Sequence, residues 1–438
     1  MSLDILKAAK HKYGNAEVYY AEGESQPVTF EANKLKELSV RETSGIALRV
    51  IKNGRIGFTS TTNPDDEKAL VARVGDLADL GSDARFSFPG PATYPKTNVF
   101  DRRVKDVTQP EMVALGRDLL ERLRDKWPDM LCEGRIGKST GRMHVWNSEG
   151  VDYSYDQTGY YVYLGGKLTR GTDMLMLWEG HSSSNYFGQD QAEKVLDGLL
   201  QQLEYCRTIS APASGDIPVI FTPRGVAATL ISPLLEGFNG KNIATGASPI
   251  MGKTGQRIFD SRLSVYDDPS IPGASGSRPC DDEGVPSRRV TLIEKGAVGE
   301  GYFDLQSAGK ARAKSSGSAH RSLASPPAPG TCTIDIAKGD TPYEKMFEGI
   351  EEGLVVEELL GAGQGNELGG DFRANVSLGY RVEGGRIVGR VKDTMIAGNV
   401  YEVLKQVEAI SDSPEWVFGS MRTPAFRCSG VKVAAKSG

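Results

Sequence analysis

The stretch Gly45–Thr62, GIALRVIKNGRIGFTSTT, is the clearest local fold signal in the 438-residue chain. Two β-prone runs flank Asn53-Gly54, a pair that readily adopts the positive φ angles of a type I′ turn. This pattern predicts a β-hairpin. Apolar residues recur at helical spacing on either side of it, over Leu3–Tyr13 and Asp65–Leu80. Residues 1–85 are therefore predicted to form an α+β subdomain around an antiparallel sheet.

Residues 86–211 are predicted to contain a linker and then a second set of helices and strands. Residues 86–107 begin with a proline-rich stretch that lacks periodicity, which predicts a linker. Beyond it, a helix is predicted over Pro110–Lys126, strands between Leu131 and Trp178, and a helix over Gln189–Ile209. Residues 108–211 are therefore predicted to be a second α+β subdomain.

Residues 215–438 are predicted to form a β-dominated C-terminal domain with a few helices, so the whole chain is assigned to the α+β class. The domain starts with the apolar strand IPVIFT, followed by a helical segment that contains Pro233. The other predicted elements are strands at Arg289–Glu294, Gly299–Leu305 and Ala425–Ala434, a hairpin of Asn375–Val382 with Arg386–Asp393, and helices at Thr341–Gly353 and Asn399–Ile410.

Composition excludes several classes of protein. The 52 glycines are about 12% of the chain, against ~7% in an average protein, which indicates many turns. A net charge of −5 without a basic run argues against direct nucleic-acid binding. No run approaches ~18 apolar residues, so no membrane span is expected. The N-terminus lacks the apolar region of a signal peptide, and five scattered cysteines form no CxxC pair; both features favour a cytoplasmic protein with reduced thiols.

The histidines argue against a compact metal site. No two of them lie within a helical turn or two of each other, which excludes a His-x3-His pair on one helix. We expect His181, in a polar stretch, to be exposed. The four histidines are His11, His144, His181 and His320.

Candidate site residues lie in two loop-rich segments. Asp281, Asp282 and Glu283 have the oxygen chemistry that hard cations prefer, but not the spacing of an EF-hand. A turn or cap role is the favoured interpretation of these residues. His320 and Arg321 are candidates for a polar groove, although a surface histidine is the commoner case.

Several long segments resemble the PmbA/TldD family, whose members are often labelled modulators of DNA gyrase or zinc peptidases. The resemblance covers most of the chain and is strongest after residue 215. It rests on DDPSIPG (267–273), DDEGVPSRRVTLIEKGAVGEGYFDLQSAGKA (281–311), GSAHR (317–321) and GDFRANVSLGYRVEGGRIVGRVKDTMIAGNVYEVL (370–404).

The resemblance also separates two branches of that family. The TldD branch carries His-Glu-x-x-x-His on the helix after the first C-terminal strand, and a late cysteine completes its zinc site. Here that helix reads VAATLISPLLEG over residues 226–237, without a histidine. Residues 415–420 lie near the place of the late cysteine and contain none, while Cys428 comes too late. The chain thus resembles the PmbA branch, also called TldE.

The resemblance implies a non-catalytic subunit that has no cofactor of its own. Zinc is expected only in a TldD-type partner. It also implies a heterodimer with that partner, or a homodimer, that takes unfolded peptides or peptide leaders, with Asp281, Asp282, Glu283, His320 and Arg321 as possible groove residues. Two alternatives stay open. One is a stand-alone peptidase with a divergent site among these residues, and the other is a homodimeric peptide-binding protein.

Overall fold

The computed structural model describes residues 2–63, 66–211, 214–361 and 365–435. It confirms the α+β class, with antiparallel sheets as the larger part. Asp65, where the second helix was predicted to begin, lies outside the described residues.

The N-terminal half is built from helices and long strands. Its helices are α1 (Ser2–Tyr13), α2 (Glu67–Leu80), α3 (Arg102–Asp106), α4 (Gln109–Lys126) and α5 (Gly188–Tyr205). Its sheet strands are β1 (Asn15–Glu31), β2 (Lys34–Leu38), β3 (Arg41–Lys52), β4 (Arg55–Thr61), β5 (Leu131–Asn147), β6 (Asp152–Arg170) and β7 (Asp173–Ser183).

The predicted hairpin is confirmed, and it lies in a seven-stranded antiparallel sheet. Asn53 and Gly54 have φ values of 51° and 77°, and Lys52 pairs with Arg55 across the turn. The strand order is β4-β3-β1-β5-β6-β7, with β2 paired to β1. The two predicted subdomains, 1–85 and 108–211, therefore contribute to one sheet. The predicted linker contains α3, so it is not wholly irregular.

Helices cover one face of this first sheet. Thr108 and Glu111 form a capping box that fixes the start of α4. The apolar sides of α4 and α5 pack on inward-facing strand residues such as Val28, Ile136 and Leu164. The residues that alternate with these point to the other face, part of which stays open to solvent.

The C-terminal half contains shorter strands. They are β8 (Ile209–Ser210), β9 (Gly215–Asp216), β10 (Val219–Phe221), β11 (Val265–Asp267), β12 (Val290–Glu294), β13 (Ala297–Val298), β14 (Ala319–His320), β15 (Ala328–Pro329), β16 (Ile334–Ile336), β17 (Glu352–Leu360), β18 (Asp371–Glu383), β19 (Arg386–Val391), β20 (Thr394–Asn399), β21 (Val407–Ile410), β22 (Glu415–Val417), β23 (Met421–Thr423), β24 (Phe426–Cys428) and β25 (Lys432–Ala435).

These strands form a ten-stranded sheet, a six-stranded sheet and the small pair β14–β15. The larger sheet runs β21-β24-β10-β17-β18-β20-β25-β9, with β19 joining β18 to β8, and the other runs β13-β12-β11-β16-β23-β22. The helical segments are α6 (Pro223–Gly225), a π-helical segment (Val226–Ile231), α7 (Ser232–Phe238), α8 (Gly240–Ala244), α9 (Leu305–Ala311), a 3-10 turn (Tyr343–Phe347) and α10 (Val400–Val403).

Three predicted elements in this half are wrong. The helix at Thr341–Gly353 is a 3-10 turn followed by β17, because Leu354–Val356 are buried between β10 and β18. The helix at Asn399–Ile410 stops at Val403, and Val407–Ile410 pairs with β24. The strand at Gly299–Leu305 is absent, since pairing ends at Val298 and α9 starts at Leu305. Tertiary packing overrides local propensity in the first two cases.

All five cysteines are buried and unpaired. Among the described residues, no helix combines the length and the apolar composition needed to cross a membrane.

Candidate functional site at the edge of the first sheet

The helical segment after β10 is continuous but irregular. Thr222 accepts a hydrogen bond from the N–H of Gly225 and so starts the helix. The turns before Pro233 widen into a π-helix, and the Ser232 hydroxyl donates to the carbonyl of Ala227 at 2.9 Å. Proline has no N–H, so a widened turn with a side-chain donor suits this sequence.

This helix does not fit a zinc ion. Its inward side carries Val226, Leu230, Ile231 and Leu234, which are fully buried in the apolar core. These side chains have no nitrogen, oxygen or sulfur donors for a metal. Within the described ranges, histidine, cysteine and carboxylate side chains form no group of three that could hold an ion.

Charged side chains gather instead at the start of the helix. Arg224 Nη1 lies 3.8 Å from Glu179 Oε2 on β7 and 4.0 Å from Glu357 Oε1 on β17. Glu415, on β22, completes the set, since its charge and that of Glu179 act on Glu357. We name these four residues the edge cluster, because β7 is an edge strand of the first sheet.

Two side chains of the edge cluster also form hydrogen bonds with backbone groups of that edge strand. Arg224 donates to the carbonyl of Trp178, and Glu179 Oε1 accepts from the N–H of Gly180 at 3.0 Å. Both backbone groups could otherwise serve an added strand.

Burial governs the electrostatics of these acids. It raises the pKa of Glu357 to about 7, with the charges of Glu179 and Glu415 acting in the same direction and Arg224 opposing them. Burial also raises the pKa of Glu179 and, together with the charge of Glu179, that of Glu415. Glu179 and Glu357 thus share Arg224, and Glu415 adds a third carboxylate beside them. Sequence reasoning missed this cluster; the one local signal is the acidic pair that starts at Glu357, directly after the apolar run Leu354–Val356.

The predicted acidic loop lies elsewhere, in a buried network between the two halves. Asp281 accepts hydrogen bonds from the N–H groups of Glu283, Val285 and Ala319 at 2.9–3.0 Å. Asp282 Oδ2 accepts from the N–H of Arg321 at 2.8 Å. These contacts match the turn interpretation of the two aspartates. Burial raises the pKa of Asp281 to about 6.

Glu283 and Arg321 tie this loop to the first sheet. Arg49 on β3 lies 2.6 Å from Glu283 and 2.8 Å from Glu17 on β1. Arg321 lies 2.7 Å from Glu17, with its guanidinium over the ring of Tyr19. We name Glu17, Arg49, Glu283 and Arg321 the buried network. Its side chains are 0–3% exposed, so they do not line an open groove, and a role of the acidic loop in peptide binding stays a prediction.

His181 is half-buried, which corrects the expectation that it is exposed, while a groove role of the half-buried His320 stays a prediction. His181 lies on β7 against Phe187, and burial lowers its pKa to about 4. His320 lies on β14 with Nε2 3.7 Å from Cys332 Sγ, and burial lowers its pKa to about 3. His181 is partly covered because it is paired within β7, and His320 is partly covered because Cys332 packs against its ring.

A groove of about 540 Å³ occupies the open face of the first sheet. Its floor consists of small residues, because Gly23, Gly141 and Gly159 lie beside Ser25 and Ser139 on three adjacent strands. Leu323 and Ser275 from the C-terminal half form part of the wall. A shallow floor of small residues on a sheet suits an extended chain better than a compact ligand.

Aromatic rings continue this face towards β7. Tyr161, Tyr163 and Trp178 stand directly opposite Gly137, Gly180 and Gly165 in the sheet register. Each ring lies over its glycine; a Cβ added at Gly180, for example, would be 1.9 Å from Tyr163 Cδ1. The ring of Tyr163 is 6.1 Å from that of Phe418, which borders the edge cluster.

Comparison with known proteins gives a consistent result. The model of the PmbA/TldA metallopeptidase C-terminal domain matches residues 214–435, and that of PmbA/TldA metallopeptidase domain 1 matches residues 16–80.

Relatives and solved structures match over nearly the whole chain. The metalloprotease PmbA of Escherichia coli O157:H7 is 27% identical, over 97% of this chain and 94% of its own. A metalloprotease of Methanothermobacter thermautotrophicus is 23% identical, over 93% and 90%. The crystal structure of TldE from Thermococcus kodakarensis superimposes with a TM-score of 0.89 at 25% identity, covering 99% of both chains.

Proposed function

The chain belongs to the PmbA/TldD family, and we propose that it is a non-catalytic subunit that acts with a zinc-bearing TldD-type subunit on unfolded peptides. The observation that carries this proposal is the helix of residues 226–237. Apolar side chains fill its inward side where the family's zinc branch has its ligands. The similarity to TldE adds support.

Two features of the first sheet support peptide binding. The groove floor of glycine and serine can accept an extended backbone closely. Strand β7 is an edge whose Met174 and Met176 are 57% and 56% exposed, so an extended segment has apolar side chains to contact beside that edge. Hydrogen bonds to a strand edge tolerate many sequences, as processing of unfolded peptides requires.

The central test is reconstitution. The purified chain should contain no stoichiometric zinc by mass spectrometry of metals and should not cleave a fluorescence-quenched disordered peptide. Addition of a TldD-type subunit from the same source should give cleavage that a chelator abolishes. Replacing both helix histidines of that subunit is the matched control and should remove the activity. One equivalent of zinc and chelator-sensitive cleavage by the isolated chain would refute the proposal.

The groove has its own test. Ser139→Trp fills the floor, and we expect several-fold weaker binding of a disordered peptide by fluorescence anisotropy. Glu121→Trp, at an exposed position of α4 on the opposite face of the sheet, is the control and should bind normally. Equal affinity of the two variants would place the peptide elsewhere.

A stand-alone peptidase is the second candidate, and the proximity of His320 and Cys332 is what favours it. Burial raises the pKa of Cys332 to about 12, however, so the thiol stays protonated at neutral pH. We expect Cys332→Ser and His320→Ala to leave cleavage by the reconstituted pair unchanged. Activity of the isolated chain that either variant abolishes would favour the second candidate.

A further inference from the structure

The edge cluster is short of positive charge. Glu179, Glu357 and Glu415 carry three potential negative charges, and Arg224 is the cation that faces Glu179 and Glu357. Its distances of 3.8 and 4.0 Å to Glu179 and Glu357 are at the outer limit of an ion pair. A well-formed arginine–carboxylate pair is ~2.7–2.9 Å long.

Buried polar groups at the cluster also lack partners. Gln202 donates from Nε2 to Glu179 Oε2 at 2.8 Å, which places its amide at the cluster, yet its Oε1 has no hydrogen-bond partner. The hydroxyl of Tyr380, whose pKa is raised by burial and by the charge of Glu357, has none either. Gln202 is 8% and Tyr380 2% exposed. The amide oxygen of Gln202 can only accept, so it has room for one more donor at the cluster, whereas the Tyr380 hydroxyl can donate or accept.

Phe418 lies beside Arg224 of the edge cluster and has an unusual backbone conformation. Its φ is 50°, which an aromatic residue rarely adopts, and its side chain is 45% exposed. The Ser182 hydroxyl holds its carbonyl at 2.8 Å, and the Arg224 guanidinium lies 5.4 Å from the ring centroid. Strained and exposed residues of this kind concentrate at ligand sites, and an aromatic face attracts cations.

The distances between the acids of the edge cluster favour an organic cation over a metal ion. Among the described acids no three converge closely enough for a metal ion. A guanidinium or ammonium group carries several N–H donors and can hydrogen-bond to acceptors that are farther apart.

From this geometry we infer that the edge cluster binds the basic side chain, lysine or arginine, of an extended peptide beside Phe418. The carboxylates of Glu357 and Glu415 and the free oxygen of Gln202 accept its N–H donors. The aromatic face of Tyr163 and Trp178 leads from the groove to this position, so a peptide in the groove can place one side chain there. The identity of the occupant rests on the proposed peptide-binding function; the cation site itself does not.

The first experiment measures the site without a peptide. Argininamide should raise the melting temperature of the protein at pH 8, and Glu357→Gln should abolish that rise. Glu358→Gln, the next residue on the same strand and exposed, is the matched control and should keep it. The cation site would be overturned if argininamide raised the melting temperature of the wild type and both variants equally, or of none of them. It would also be overturned if only CaCl2 raised the melting temperature.

The second experiment identifies the occupant. A disordered fluorescent peptide with one lysine is compared with the same peptide carrying acetyl-lysine. We expect the charged peptide to bind about tenfold more tightly to the wild type, since a charged hydrogen bond contributes about that factor. Glu357→Gln/Glu415→Gln should bind both equally, and Glu358→Gln should discriminate like the wild type. If the wild type binds the lysine and acetyl-lysine peptides equally, the inference is refuted while peptide binding stands. If it binds neither peptide but still responds to argininamide, the peptide-binding function is refuted instead.

Discussion

Glu283 and Glu357 are both buried glutamates that face an arginine, but their surroundings differ in kind. Glu283 lies 2.6 Å from Arg49 and also accepts from the N–H of Leu305 at 2.7 Å. Glu357 has Arg224 only at 4.0 Å and shares it with Glu179. The buried network has short contacts to its carboxylates and so holds the two halves of the molecule together. The edge cluster lacks that balance, which is the usual mark of a functional site.

Breaking the buried network should have the largest effect. Arg49→Met leaves Glu17 and Glu283 buried without their main cation, and removing one partner of such a pair costs about 3–5 kcal/mol. Urea denaturation followed by circular dichroism measures the loss. Arg41→Met, which removes an exposed pair with Glu37, is the control and should cost less than about 1 kcal/mol. Similar losses for both variants would contradict the structural role of the network.

The edge cluster should make stability fall as pH rises. The folded pKa of Glu357, about 7, lies above its ordinary value of 4.5, so between these values the native state keeps a proton that the unfolded chain has released. Stability is therefore lost from about pH 4.5 upwards and levels off above pH 7, by about 3 kcal/mol for this group. Arg224, Glu179, Glu415 and Thr222 act on this carboxyl.

Denaturation at several pH values checks this dependence. Glu357→Gln should make the profile less steep over that window, although Asp281 with its raised pKa still contributes, whereas Glu358→Gln should reproduce the wild-type profile. A variant Glu357→Gln with an unchanged slope would show that another group titrates.

Removing the cation of the edge cluster should have the smallest effect. We expect Arg224→Met to cost about 1 kcal/mol at pH 8, because its contacts to Glu179 and Glu357 are long and the acids can take up protons. The cost should shrink further at pH 5, where Glu357 is neutral. Thermal unfolding at the two pH values measures it. A loss as large as that of Arg49→Met would mean that the two clusters do not differ as described.

Prediction from sequence succeeded where signals were local. Asn53-Gly54 determines a turn, and the helix predicted over Pro110–Lys126 is present as α4, because each signal acts within a few residues. It failed at Thr341–Gly353 and beyond Val403, where strand pairing with distant segments decided the conformation. The acidic loop was recognisable as a cluster in the sequence, but its burial against Arg49 was not.

The sequence alone determined which chemistry is missing: residues 226–237 contain no histidine, so no fold could make that helix a zinc site of the family's kind. Only the tertiary structure decided where charge is left unbalanced. Glu179, Arg224, Glu357 and Glu415 come from β7, α6, β17 and β22, and no local pattern connects them. Their titration depends on burial and on distances between elements, which exist only once the sheets have packed.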